Sequence, residues 1–148
     1  MKRFVSLVVL GLVTTAKASQ FFSAHFCQPY KNGGTPAIES YYQNQGSVLA
    51  AAETTLTCPL HAATFNSELV VRVFYSSFGI EAKPPIACRI WKISQSNQTL
   101  VGLEKHGVAG VAAGYLDVYS NLGPSTPIGA NVECRLKPGA KILGYYLN

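Results

Sequence analysis

Charged residues are scarce in this chain of 148 residues, at 13% of the total, and Asp117 is its one aspartate. The basic residues form no cluster beyond Lys137 and Lys141 beside Arg135, so the sequence gives no case for nucleic-acid binding. Long apolar runs are scarce as well. Residues 4–13 form a run of ten, whereas a helix that crosses a bilayer needs about 20 residues. We therefore expect no membrane span in the processed protein.

The N-terminus has the pattern of a secretory signal peptide. Lys2 and Arg3 give it a positive start, residues 4–13 are apolar, and residues 16–18, Ala-Lys-Ala, fit the small-x-small rule for cleavage. We expect residues 1–18 to be removed and the protein to be secreted or periplasmic. The remaining 130 residues would have a net charge of +2 and are enough for one domain with its own core.

Short strand-like segments follow one another at near-even spacing, separated by turns rich in Gly, Pro, Asn and Ser. The seven predicted strands are 48–58, 69–75, 86–94, 100–104, 115–119, 129–136 and 142–147. No connection resembles a crossover helix. The pattern therefore predicts an all-β fold, an antiparallel β-sandwich of Ig-like or jelly-roll type. A short helix at 47–53, where alanines are frequent, is the alternative to the start of the first strand.

The segment before the predicted strands has a different character. Residues 19–46 contain turn signals such as Asn32-Gly33-Gly34 and Thr35-Pro36, with no strand pattern. We expect an irregular N-terminal arm over 19–46, tethered through Cys27, followed by the sandwich domain over 47–148.

Four cysteines form an even set in a chain that we expect to be exported: Cys27, Cys58, Cys88 and Cys134. Two disulfides are therefore predicted, with three possible connectivities. If successive strands alternate in direction, Cys88 and Cys134 fall at one rim of the sandwich and Cys58 at the other. This argument favours the pairs Cys27–Cys58 and Cys88–Cys134.

A zinc site is the alternative use of two of these cysteines. His25 and Cys27 lie two residues apart, and Cys58 precedes His61 by three, so these four side chains could converge as zinc ligands. Oxidation of the thiols in an exported protein favours the disulfides. The sequence otherwise indicates no metal or cofactor, since the Cys-x-x-Cys-His motif of haem attachment and the phosphate-loop motif are both missing.

Catalytic motifs are also missing, and no Gly-x-Ser-x-Gly sequence occurs. A small secreted hydrolase stays an alternative. Its candidate residues are Asp117 with His61 or His106 for a triad, and Glu53, Glu104 and Glu133 for a carboxylate pair. Nothing in the sequence places these groups together, so we expect a non-enzyme.

One surface is the candidate binding face. Residues 86–94 join a cysteine and the one tryptophan in a clean alternation. The strand phases that bury the aliphatic side chains leave six residues on the opposite faces: Arg72, Phe74, Arg89, Trp91, Tyr115 and Tyr119. Aromatic rings interleaved with guanidinium groups can stack on sugars or anchor a protein partner. Alternatively, the rings form cross-strand pairs beneath a loop or the N-terminal arm. We expect a binding module for a glycan or an envelope protein, or a structural envelope protein.

Short motifs around the cysteines resemble those of a group of small exported bacterial proteins of unknown function. They are Thr-Cys-Pro-Leu at 57–60, Ala-Cys-Arg at 87–89 and Val-Glu-Cys-Arg-Leu-Lys-Pro at 132–138, followed by a final strand at 142–147. The resemblance covers most of residues 27–148. It implies export and a β-sandwich, and it carries over no catalytic residue.

Overall fold

The structure is a computed structural model that describes residues 20–30, 41–44, 46–60, 68–77, 83–93, 98–121 and 129–147. Within these ranges lie eleven strands and one 3-10 turn, Ala24–Phe26. The strands are β1 (Gln20–Ser23), β2 (Gln28–Tyr30), β3 (Tyr41–Asn44), β4 (Ser47–Ala50), β5 (Thr54–Leu60), β6 (Glu68–Ser77), β7 (Ile86–Ile93), β8 (Gln98–His106), β9 (Ala113–Asn121), β10 (Gly129–Leu136) and β11 (Ala140–Leu147).

The strands form two antiparallel sheets that share one core. The six-stranded sheet has the order β3-β4-β11-β6-β9, with β1 also paired to β11, and the five-stranded sheet has the order β2-β5-β10-β7-β8. The predicted antiparallel β-sandwich is therefore confirmed, with eleven described strands instead of about seven. No helix in the described ranges is long and apolar enough to cross a membrane.

Alternation of apolar and polar residues explains how the central strands form. In β6, Leu69, Val71, Val73 and Tyr75 point inward, and in β10 the same period buries every second residue from Ala130 to Leu136. Because each fully buried Val, Leu or Ile side chain contributes about 1.5–3 kcal/mol, this shared core accounts for most of the stability of the sandwich.

Both disulfides join neighbouring strands of the five-stranded sheet. Cys88 and Cys134 lie directly opposite each other on β7 and β10, with Cα atoms 4.1 Å apart. Cys27 lies just before β2, and its Cα is 4.0 Å from that of Cys58 on the adjacent β5. These are the pairs that the strand-direction argument favours, although cross-strand register, and not position at a rim, brings them together. Two disulfides fit an extracellular protein.

The zinc alternative is wrong, because Cys27 and Cys58 are bonded to each other and offer no thiolate. His25 lies in the exposed 3-10 turn, and His61 lies outside the described residues. No group of three or more potential metal ligands occurs within the described ranges.

Two sequence expectations differ from the structure near the N-terminus. Residues 48–58 are not one strand, because the exposed residues 51–53 carry the chain from β4 in one sheet to β5 in the other. The segment 19–46 is not irregular throughout, because its described residues include β1, β2 and β3. These three strands are short and lie at sheet edges, so they have too few residues to show a strand period.

Candidate functional site

The outer face of the five-stranded sheet is built around β7. The alternation of this strand turns Arg89 and Trp91 away from the core. The register of the sheet places Glu133 of β10 opposite Arg89, and Asn131 of the same strand opposite Trp91. Two neighbouring strands thus bring a cation, a carboxylate, an amide and an indole to one surface.

The carboxylate of Glu133 holds both Arg89 and Trp91. Arg89 Nε donates to Oε1 at 2.8 Å, Arg89 Nη2 lies 2.6 Å from the same oxygen, and Trp91 Nε1 donates to Oε2 at 3.0 Å. The guanidinium carbon of Arg89 lies 4.9 Å from the Trp91 ring centroid, within cation–π range. The Glu133 side chain is only 14% exposed, so these contacts are partly shielded from water. Together they hold the indole in one orientation.

A groove with a volume of about 430 Å³ runs over this surface. Residues from all five strands of the sheet line it: Gln28, Pro29, Thr57, Arg89, Trp91, Gln98, Asn131 and Glu133. Gln28, Thr57, Glu133 and Arg89 form one row of directly opposed residues, so the groove runs across the strands. Neighbouring strands lie about 4.8 Å apart, so a groove that crosses five strands is about 19 Å long.

The outer face of the six-stranded sheet has a different surface, a row of four aromatic rings. Ring centroids are 4.9 Å apart for Phe21 and Tyr146, 5.5 Å for Tyr146 and Phe74, and 6.3 Å for Phe74 and Tyr115. Phe74 and Tyr146 pack edge to face with an interplanar angle of 68°, and the other two pairs are tilted by 51° and 56°. The row crosses β1, β11, β6 and β9 in that order.

Beside this aromatic row, Arg72 and Asp117 form an ion pair between β6 and β9. Arg72 Nε donates to Oδ1 at 2.7 Å and Nη2 donates to Oδ2 at 2.8 Å. The guanidinium carbon also lies 4.2 Å from the ring centroid of Tyr115. Hydrogen bonding by Arg72 lowers the pKa of Asp117 below its usual value.

The structure therefore divides the six predicted binding-face residues between two sheets. Arg89 and Trp91 lie in the groove, and the other four lie on the opposite side of the sandwich, in or near the aromatic row: Arg72, Phe74, Tyr115 and Tyr119. Strand phase in the sequence shows which residues point away from the core. It does not show which sheet each strand joins, so one predicted face becomes two.

Comparison with solved structures finds a similar fold. The C-terminal CBM6 module of LamC, a marine laminarinase from Zobellia galactanivorans, has a TM-score of 0.52 and 8% identity, with 88% of this chain and 98% of that chain covered. The fold of this chain resembles that of a carbohydrate-binding module. At such low identity the likeness shows the fold alone.

Two further structures are more distant. The carbohydrate-binding module CBM6cm-2 from Cellvibrio mixtus lichenase 5A, in complex with cellotriose, has a TM-score of 0.46 and 10% identity, covering 87% of this chain and 95% of that chain. The isomalto-dextranase of Arthrobacter globiformis T6, complexed with panose, has a TM-score of 0.44 and 11% identity, covering 87% of this chain and 22% of that chain. No protein-family model and no curated protein matches the sequence, so the resemblance to small exported bacterial proteins stays a prediction.

The described residues considered for hydrolysis are bound to other partners in the structure. Asp117 is bound to Arg72 on the six-stranded sheet, whereas His106 is on β8 of the five-stranded sheet, 3.4 Å from Glu104. Glu53 is exposed and pairs with Lys137 at 3.1 Å. Asp117 and His106 thus belong to different sheets, and the alternative base His61 lies outside the described residues. Glu133 is bound by Arg89 and Trp91 in the groove.

Several groove residues are not among the six residues of the predicted binding face. From the sequence, Glu133 is a candidate only for a carboxylate pair, and Gln28, Thr57, Gln98 and Asn131 are candidates for no site. The alternation of β10 could have put Glu133 and Asn131 on one face. Only the pairing of β10 with β7 shows that this face also holds Trp91.

Proposed function

We propose that this chain is a non-catalytic glycan-binding module whose site is the groove around Trp91. The observation that carries the proposal is the indole of Trp91, fixed by Glu133 and Arg89 in a groove otherwise lined mainly by uncharged hydrogen-bonding side chains. The groove is long and polar, which suits an extended, hydroxyl-rich ligand better than a compact apolar one.

The chemistry of a sugar ring matches both parts of this surface. The C–H groups on one face of a pyranose ring can pack on an aromatic ring, and the indole of Trp91 offers such a ring. Sugar hydroxyl groups donate and accept hydrogen bonds, as the amides of Gln28, Gln98 and Asn131 do. The groove length of about 19 Å leaves room for several sugar rings in a row across the strands.

The fold supports this function without deciding it. The sandwich is similar to the CBM6 module of a laminarinase, and Asp117 and His106, the described members of the predicted triad, lie in different sheets. Export is part of the same proposal, because a polysaccharide ligand lies outside the cytoplasm. The two disulfides fit that location, and the predicted signal peptide at 1–18 lies outside the described residues.

Replacement of Trp91 by alanine tests the proposal. We expect the wild-type protein to be retarded in native gels that contain a neutral polysaccharide such as barley β-glucan, laminarin or xylan. Trp91→Ala should weaken binding at least tenfold, because a central aromatic ring commonly contributes a large share of the binding energy. The measurement is the apparent Kd from retardation against polysaccharide concentration.

Tyr119→Ala is the matched control, since this ring is 54% exposed and lies on the opposite sheet. It should bind as the wild type does. Equal binding by the wild type and Trp91→Ala would contradict the location of the site. Failure of the wild type to bind any glycan in a broad panel would contradict the function itself.

A further inference from the structure

The charges in the groove are balanced. Among its lining residues, Arg89 is the cation and Glu133 the anion, and the other side chains are uncharged. The two charged groups lie 2.6 Å apart at their closest atoms, so a ligand in the groove meets a compensated pair and not an isolated cation.

This arrangement disfavours an acidic ligand. An unpaired arginine beside a tryptophan would attract the carboxylate of a uronic acid or the sulfate of a sulfated sugar. With Glu133 in place, such an anion would have to approach Arg89 next to a carboxylate of the same charge. Both carboxylate oxygens are held, Oε1 by Arg89 and Oε2 by the indole N–H of Trp91. The negative charge of Glu133 therefore stays in the groove, where it repels an anionic ligand.

We propose that the groove takes neutral polysaccharides and rejects acidic ones, and that Glu133 is the residue that sets this selectivity. The inference rests on the proposed glycan-binding function and names the class of glycan. Glu133 thereby acts on selectivity through Arg89, and it also holds Trp91 in place.

Glu133→Gln tests this role, because it changes the charge while keeping the size of the side chain. The amide oxygen can still accept the indole N–H of Trp91, but Arg89 loses its counter-charge. We expect the variant to bind polygalacturonate at least tenfold more tightly than the wild type does. The gain should disappear in 0.5 M NaCl, since it is electrostatic, and the ratio of polygalacturonate affinity to neutral-glycan affinity should rise above that of the wild type.

Asp117→Asn is a matched control within the same chain. It makes the same change in net charge and removes the partner of Arg72, but on the opposite sheet. It should give no comparable gain in polygalacturonate binding. Thermal unfolding followed by far-ultraviolet circular dichroism should show both variants folded.

The outcomes separate the two proposals. If the wild type binds polygalacturonate more tightly than neutral glycans, glycan binding stands and the selectivity is overturned. The selectivity is also overturned if Glu133→Gln gains nothing, or if Asp117→Asn gains as much. If neither the wild type nor Glu133→Gln binds any glycan, the proposed function fails and the selectivity fails with it.

Discussion

At the scale of single residues, Arg89 and Arg72 show how similar local patterns lead to different surfaces. Each guanidinium lies over an aromatic ring and pairs with a carboxylate on the neighbouring strand. Glu133, however, also accepts the indole N–H of Trp91, whereas both oxygens of Asp117 accept bonds from Arg72. The first arrangement fixes a tryptophan in a groove, and the second ties together two strands beside the aromatic row.

Tyr145 is a second residue with a distinct role, because it links the two sheets through a hydrogen bond. Its ring is buried and its hydroxyl donates to the carbonyl oxygen of Pro59 at 2.7 Å. Burial raises the pKa of Tyr145 from 10.0 to about 12. Unfolding therefore releases a proton between these pH values, so the free energy of unfolding falls as the pH rises above 10.

Tyr145→Phe should separate these two effects. At pH 7 the variant should lose about 1 kcal/mol, because the carbonyl of Pro59 loses its donor. Between pH 9 and 11.5, however, its free energy of unfolding should fall less than that of the wild type, since the titrating phenol is gone. Urea unfolding at a series of pH values measures both. Parallel pH profiles for the two proteins would show that Tyr145 does not titrate as its burial requires.

At the scale of elements, strand alternation made the central strands predictable. β6 and β10 alternate along their length and β7 alternates from Cys88 to Trp91, and the predicted segments 69–75, 129–136 and 86–94 correspond closely to these strands. Which strands become neighbours in a sheet depends on contacts between residues that are distant in sequence. β10 lies between β5 and β7, and nothing local in these strands encodes that order.

At Gly102 the backbones of β8 and β9 come close together at one edge of the sandwich. These strands belong to different sheets, yet a Cβ added at Gly102 would collide with the backbone carbonyl oxygen of Tyr119. Gly102 also has φ +85°, in the left-handed region that other residues rarely adopt. Glycine at this position thus allows the backbones of the two sheets to approach each other.

Gly102→Ala should destabilise the fold strongly. The left-handed backbone alone costs a non-glycine residue roughly 1–3 kcal/mol, and the collision with a backbone atom adds to that. Gly129→Ala is the control, since a Cβ there meets Ile93 Cδ1 at an ordinary 3.7 Å, and it should change stability by about 0.5 kcal/mol or less. Chemical denaturation compares them. Equal stability of the two variants would contradict the close approach of β8 and β9.

At the scale of the whole molecule, the sandwich places on opposite sides residues that the sequence predicts on one binding face. Both Trp91 and Tyr115 point away from the core, and this much follows from strand phase. Their placement on opposite sides follows from the membership of β7 and β9 in different sheets. The sequence therefore predicts which side chains are available for binding, but the site itself depends on the topology.

The fold does not by itself decide the function, since sandwiches of this kind serve many purposes. Glycan binding depends instead on the residues of the groove, where one indole, three amides and a compensated ion pair lie across five strands. It requires that the glycan lie against Trp91.

The most direct test uses the single tryptophan as a reporter. In a two-dimensional ¹H–¹⁵N NMR spectrum, Trp91 gives one indole N–H resonance, and its proton is bonded to Glu133 within the groove. We predict that a neutral tetrasaccharide from a bound polysaccharide shifts this resonance in a saturable way, together with backbone amides of β7 and β10. A bound tetrasaccharide that leaves the indole resonance unmoved, and shifts amides of β6 and β9 instead, would contradict it.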